Sequence, residues 1–147
     1  VAIVEIYDAD GNASSARLIN VSNRGYVGVG GEIMIPGFVV SNQGAKTFLI
    51  RAVGPGLERF GVSGVLEDPE LTIYAGKDPI LHNGDWDGLP GSGVTAATAE
   101  LVRAFRLAEG SRDAALVVTL PPGEYTVHAA GVGGSTGVAL LELYLVP

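Results

Sequence analysis

The chain has 147 residues, 47% of them hydrophobic and 17% charged, with 22 glycines and no cysteine. That composition belongs to one folded domain of common size, and it excludes disulfide staples, thiolate metal sites and a cysteine nucleophile. The formal net charge of −7 opposes attraction to phosphate backbones or anionic membranes, so nucleic acid is not an expected partner. The longest uncharged apolar run is far below the roughly 20 residues of a membrane span, so no membrane insertion is expected. With no initiator Met and no basic segment before an apolar one, the chain reads as a piece of something longer.

"VAIVEIY" (1–7) reads as a strand, and "DADGNASS" (8–15) as a linker or turn. "ARLINVS" predicts a strand over 16–22, and short β pieces follow at 26–29, 33–35 and 38–41, broken by glycines and Pro36. "KTFLIRAV" predicts a strand over 46–53, ended by Gly54-Pro55-Gly56 with glycine at positive φ. Residues 70–74 and 79–82 read as a hairpin. Ala97, Leu101, Ala104 and Phe105 recur at helical spacing, which predicts one short helix over about 95–106 with Gly110 as a stop. Strands at 113–120, 124–130 and 137–145 complete the chain, with "PPG" as a tight turn carrying Gly123 at positive φ. Many short strands with frequent turns predict an all-β fold, an antiparallel sandwich of jelly-roll type, in a single domain over 1–147.

Two stretches carry a family resemblance. "DPELTIYAGKDPILHNGDWD", followed by "LPPGEYTVHAAGVGGSTGVALLELY", resembles the bacterial pre-peptidase C-terminal β-sandwich. "ARLINVSNRGYVG", "KTFLIRAVGPGL" and "TGVALLELY" further resemble a module repeated in, or ending, large secreted proteins of environmental bacteria. The resemblance implies an accessory, non-enzymatic module placed outside the cell or on its surface, often in tandem. It carries over no active site, and its motifs are structural turns.

Residue chemistry agrees in offering little for catalysis. "LPGSGVT" around Ser92 departs from the nucleophile-elbow pattern, since Pro90 stands where the first glycine belongs. His82 and His128 fall in predicted strands without metal-ligand spacing. Hard cations take clustered oxygens, so Asn83, Asp85 and Asp87 form a candidate calcium loop, with Asp8, Asp10 and Asn12 a weaker one. Turns in which Asx side chains bond their own backbone explain both segments without metal. Trp86, the single tryptophan, offers either a stacking surface for polysaccharide or an aromatic plug over one end of the sandwich. Asn12 lies in an N-x-S context in a turn, a candidate glycosylation site, whereas the sequon at Asn20 falls in a strand. Arg17 and Arg51 interrupt apolar strands, and alternation assigns them to a solvent face with acidic partners across the sheet.

The ends are the most informative feature. "VAIVEIY" and "VALLELY" (138–144) share Val, Ala, Glu and Tyr in the same order, the other three positions exchanging branched aliphatics. Val1, Ala2, Ile3, Val4, Glu5, Ile6 and Tyr7 thus look like a second copy of the closing strand. Three placements compete: partner strands in one sandwich, a remnant of a neighbouring module, or a strand added to another subunit's sheet. With both faces apolar, the heptapeptide is an edge that needs covering. The expected function is a structural module that assembles head to tail with copies of itself or with adjacent modules. The alternative is a carbohydrate-binding module with a calcium-stabilised loop at 83–87.

Overall fold

The computed structural model describes residues 4–6, 18–41, 43–88 and 92–147. In chain order they form β1 (Asn20–Val27), β2 (Gly37–Val40), β3 (Lys46–Val53), β4 (Pro69–Ala75), β5 (Asp78–Asn83), α1 (Ser92–Leu101), β6 (Ala114–Leu120), β7 (Gly123–Gly131) and β8 (Gly137–Leu145). Two four-stranded antiparallel sheets result, the first in the order β1-β8-β3-β6 and the second β2-β7-β4-β5. The expected all-β sandwich with a short helix is the architecture.

Alternation decides which side chains meet between the sheets. Ile50, Ala52, Leu141 and Leu143 from the first sheet pack against Leu71, Ile73, Val127 and Ala129 from the second. Each fully buried Leu, Ile or Val in this layer contributes about 1.5–3 kcal/mol by leaving water. A second cluster lies on the outer face of the first sheet, where Val53 and Ala115 meet Leu57, Val65, Trp86 and Leu107. The first sheet is therefore covered on both faces near β3 and β6.

Several expected boundaries change for physical reasons. β1 runs unbroken through Ser22-Asn23-Arg24-Gly25, because all eight residues pair with β8 and that ladder overrides turn propensity. Residues 33–35 form one bridge rather than a strand. Met34 exchanges both backbone bonds with Ala129, and the Pro36 carbonyl accepts from Val127 N–H, but proline has no N–H to return. The helix stops at Leu101, short of the expected Arg106. Ala104 N–H donates to the Ala99 carbonyl and Arg103 N–H to the Glu100 carbonyl, a Schellman closure with Arg103 at φ 59 where glycine is usual. Gly110 is therefore not the helix stop.

Neither Gly54, Gly56 nor Gly123 takes a positive φ. Gly54 is required by close approach instead, since a Cβ there would stand 1.9 Å from the Leu66 carbonyl oxygen. Gly137 serves the same purpose on β8, where a Cβ would stand 2.5 Å from Leu66 N. At the β7 corner Tyr125 donates its hydroxyl proton to the Pro121 carbonyl at 3.0 Å, which fixes the turn between β6 and β7.

Candidate functional site

Chemistry-bearing residues gather on the outer face of the first sheet. Arg51 does face away from the inter-sheet core, as alternation requires, but it is not in solvent: its exposure is 0%. The segment after α1 covers it. Register sets Arg51 opposite Glu142, and the Arg51 Nε donates to Glu142 Oε2 at 2.9 Å while Nη2 donates to the same oxygen. Nη1 donates to the Phe105 carbonyl at 2.6 Å, and the Phe105 ring centroid lies 4.3 Å from the guanidinium carbon. The other carboxylate oxygen, Glu142 Oε1, accepts from the Tyr144 hydroxyl at 2.7 Å. Burial and the adjacent Glu142 carboxylate push the Tyr144 hydroxyl up to about 12. Both carboxylate oxygens and all three kinds of guanidinium nitrogen are engaged, so the group is a clamp joining β3, β8 and residue 105.

A second buried acid ties three remote segments together. Asp113 Oδ1 accepts from Gly54 N–H at 2.9 Å and Gly56 N–H at 3.1 Å, and Oδ2 accepts from the Ser111 hydroxyl at 2.8 Å. Its own carbonyl accepts from Trp86 N–H at 2.9 Å. The turn opening at Pro55 is thus held at its N-terminal end by a carboxylate from the other side of the chain.

The 83–87 loop is part of this clasp. Trp86 is 7% exposed and its Nε1 donates to the Ala108 carbonyl and the Ser111 hydroxyl, which is the plug position rather than an open stacking surface. Asn83 Oδ1 accepts from Ala115 N–H at 2.9 Å and its Nδ2 donates to the Asp85 carbonyl. Asp87 Oδ2 accepts from Gly110 N–H, and Asp85 is exposed. Two of the three candidate calcium ligands therefore already hold backbone N–H groups. Among the described residues there is no group of three or more His, Asp or Glu side chains that could hold a metal ion.

Other candidates sit apart. His82 and His128 lie on β5 and β7, each opposite Thr72 of the strand between them. Ser92 opens α1, and Pro90 and Gly91 fall outside the described residues. So do Val1, Ala2, Ile3, Tyr7, the 8–15 linker, Asp8, Asp10, Asn12, Ala16 and Arg17. Of the heptapeptide, Val4, Glu5 and Ile6 are described, and they belong to no strand. Val4 is 83% and Ile6 60% exposed.

No protein-family model matches the sequence, and no curated protein matches it. Among solved structures, the chain is similar to the pre-peptidase C-terminal domain of a collagenase from Bacillus anthracis, at 12% sequence identity and a TM-score of 0.50. The match covers 85% of this chain and 89% of that one. The fold is a pre-peptidase C-terminal-like β-sandwich. At this identity the likeness speaks for fold alone.

Sequence reading missed the roles of Asp113, Ser111, Glu142 and Phe105. The cross-strand acid for Arg51 was foreseeable from alternation. For Asp113 the available signal was an acid abutting the apolar run "AALVV"; its partners at 54 and 56 are too distant in sequence to be inferred.

Proposed function

We propose that this chain is a non-catalytic extracellular structural module that joins head to tail with copies of itself or with adjacent modules, residues 1–7 adding as a strand to a neighbouring sheet. One observation carries the reading: Val4 and Ile6 stand exposed outside both sheets, although the same sequence pattern, in β8, occupies the centre of the first sheet. β8 has β1 on one side and β3 on the other, so the heptapeptide is not needed to complete that ladder. An apolar strand of this kind is stabilised by pairing with a second sheet. The fold likeness supports an accessory role, and no helix among the described residues is long and apolar enough to cross a membrane.

The test is sedimentation velocity and negative-stain microscopy of the full chain over rising concentration, beside Val4→Lys/Ile6→Lys. The wild type is expected to form growing linear species and the double variant to stay monomeric. A wild type that remains monomeric at millimolar concentration, or a double variant that assembles as well as the wild type, overturns the proposal.

A further inference from the structure

We infer that Asn83 is a deamidation site which the folded clasp holds shut, and whose conversion keeps the clasp from closing again. Of the five asparagines, at positions 12, 20, 23, 42 and 83, it is the one followed by glycine. An asparagine before glycine loses its amide most readily, because glycine puts no side chain in the way as its own nitrogen closes on the asparagine Cγ. The fold itself does not call for glycine at 84. Its φ lies outside the left-handed region, and a Cβ there would meet no atom within 4 Å. What the glycine does supply is a reactive pair at the last residue of β5, where the strand passes into the Trp86 loop.

In the folded chain that pair is closed to reaction. Asn83 is 3% exposed, its Oδ1 accepts from Ala115 N–H at 2.9 Å and its Nδ2 donates to the Asp85 carbonyl at 3.1 Å. These partners fix the orientation of the amide, since a donor must meet Oδ1 and an acceptor must meet Nδ2. Attack on Cγ requires the amide to turn its face to the Gly84 nitrogen, which breaks both bonds in a site almost without solvent access. The reaction therefore proceeds from a state in which the contact of Asn83 with β6 and the Trp86 loop have opened.

Once open, the Gly84 nitrogen gives its proton to solvent and bonds to Asn83 Cγ; the Cγ–Nδ2 bond breaks and ammonia leaves, giving a cyclic imide. Water then opens one of the two carbonyl–nitrogen bonds of the ring, to aspartate or to isoaspartate. One water enters and one ammonia departs, with no change of oxidation state. Neither product fits the clasp. Aspartate keeps an acceptor for Ala115 N–H, but it turns an oxygen instead of a donor on the Asp85 carbonyl and buries an unpaired charge. Isoaspartate adds a main-chain carbon upstream of Trp86, whose N–H and indole must reach Asp113, Ala108 and Ser111. A long opening is thus recorded covalently, and the chain does not return.

The test is peptide mapping by mass spectrometry after the full chain has stood at mildly alkaline pH, with and without guanidinium chloride, followed by dilution to refold. In denaturant Asn83 should convert ahead of the other asparagines, and in buffer at least about tenfold more slowly. Trp86, the single tryptophan, reports closure of the clasp by its emission. A briefly denatured chain should recover the native spectrum, and the converted fraction should not. Gly84→Ala should slow conversion severalfold and recover after the same exposure. Equal rates with and without denaturant, or a converted fraction that regains the native emission and urea midpoint, overturn the inference. So does a Gly84→Ala chain that keeps its Asn83 amide yet fails to refold after the exposure, since the damage then lies elsewhere. Should Gly84→Ala not fold at all, Asn83→Asp decides: native emission with a wild-type urea midpoint overturns the inference, and their loss upholds it.

Discussion

At the β6 edge of the first sheet, Asn83 takes the Ala115 N–H, Trp86 donates to the Asp113 carbonyl, and α1 lies against the strand. At the β1 edge of the same sheet, Val21 and Tyr26 are exposed and no other described strand pairs with the outer side. Among the described residues, the first edge is tied to distant segments of the chain and the second meets no further strand. The difference shows where the sequence invests buried polar groups: at the β6 edge they link segments far apart in the chain, and among the described residues none of them lies on β1.

The comparison breaks most sharply at Arg51. Arg51→Ala leaves Glu142 buried without its counter-charge and should cost about 3–5 kcal/mol of unfolding free energy, measured by urea titration. Arg51→Met/Glu142→Leu should recover most of that loss, because two apolar residues need no solvent. Asp113→Ala removes the acceptor of Gly54 and Gly56 N–H and should cost about 3 kcal/mol, with the 54–60 turn becoming the first region to exchange its amides. A pH dependence follows from Tyr144, whose hydroxyl is raised from 10.0 to about 12. The raised value means that the folded state holds the proton more tightly than the unfolded chain, so the stability it contributes is complete below pH 10 and disappears as pH rises through about 12. Thermal melts should show that alkaline decline, and Tyr144→Phe should flatten it. At the β1 edge, Val21→Ala should change stability by no more than about 0.5 kcal/mol; a cost as large as that of Asp113→Ala would mean that the two edges are built alike.

Much of the sandwich was legible in the sequence. β3 and β8 begin and end where their apolar alternation does, at Lys46–Val53 and Gly137–Leu145, because both lie inside the first sheet and their patterns answer to a buried face. The helix was read five residues too far at its C-terminal end, and begun three residues late, since Ala104 and Phe105 keep helical spacing, yet they serve another purpose: residue 105 must bring its carbonyl and ring to Arg51. Arg51 itself was given the correct face of the sheet and the correct kind of partner, but alternation cannot say that a later segment will cover that face. Trp86 illustrates the same limit. Its loop composition allowed a ligand surface or a plug, and only the positions of Ala108 and Ser111 distinguish them. The repeated heptapeptide was visible without any structure; that its described residues stand outside the sheets was not.

The β1–β8 register has a mechanical side. Asn20 lies opposite Tyr144, so β1 starts and β8 closes at the same end of one strand pair. Tension applied through the two ends would load that ladder from the Asn20–Tyr144 end, one bond after another, as a zipper opens, instead of shearing all its bonds at once.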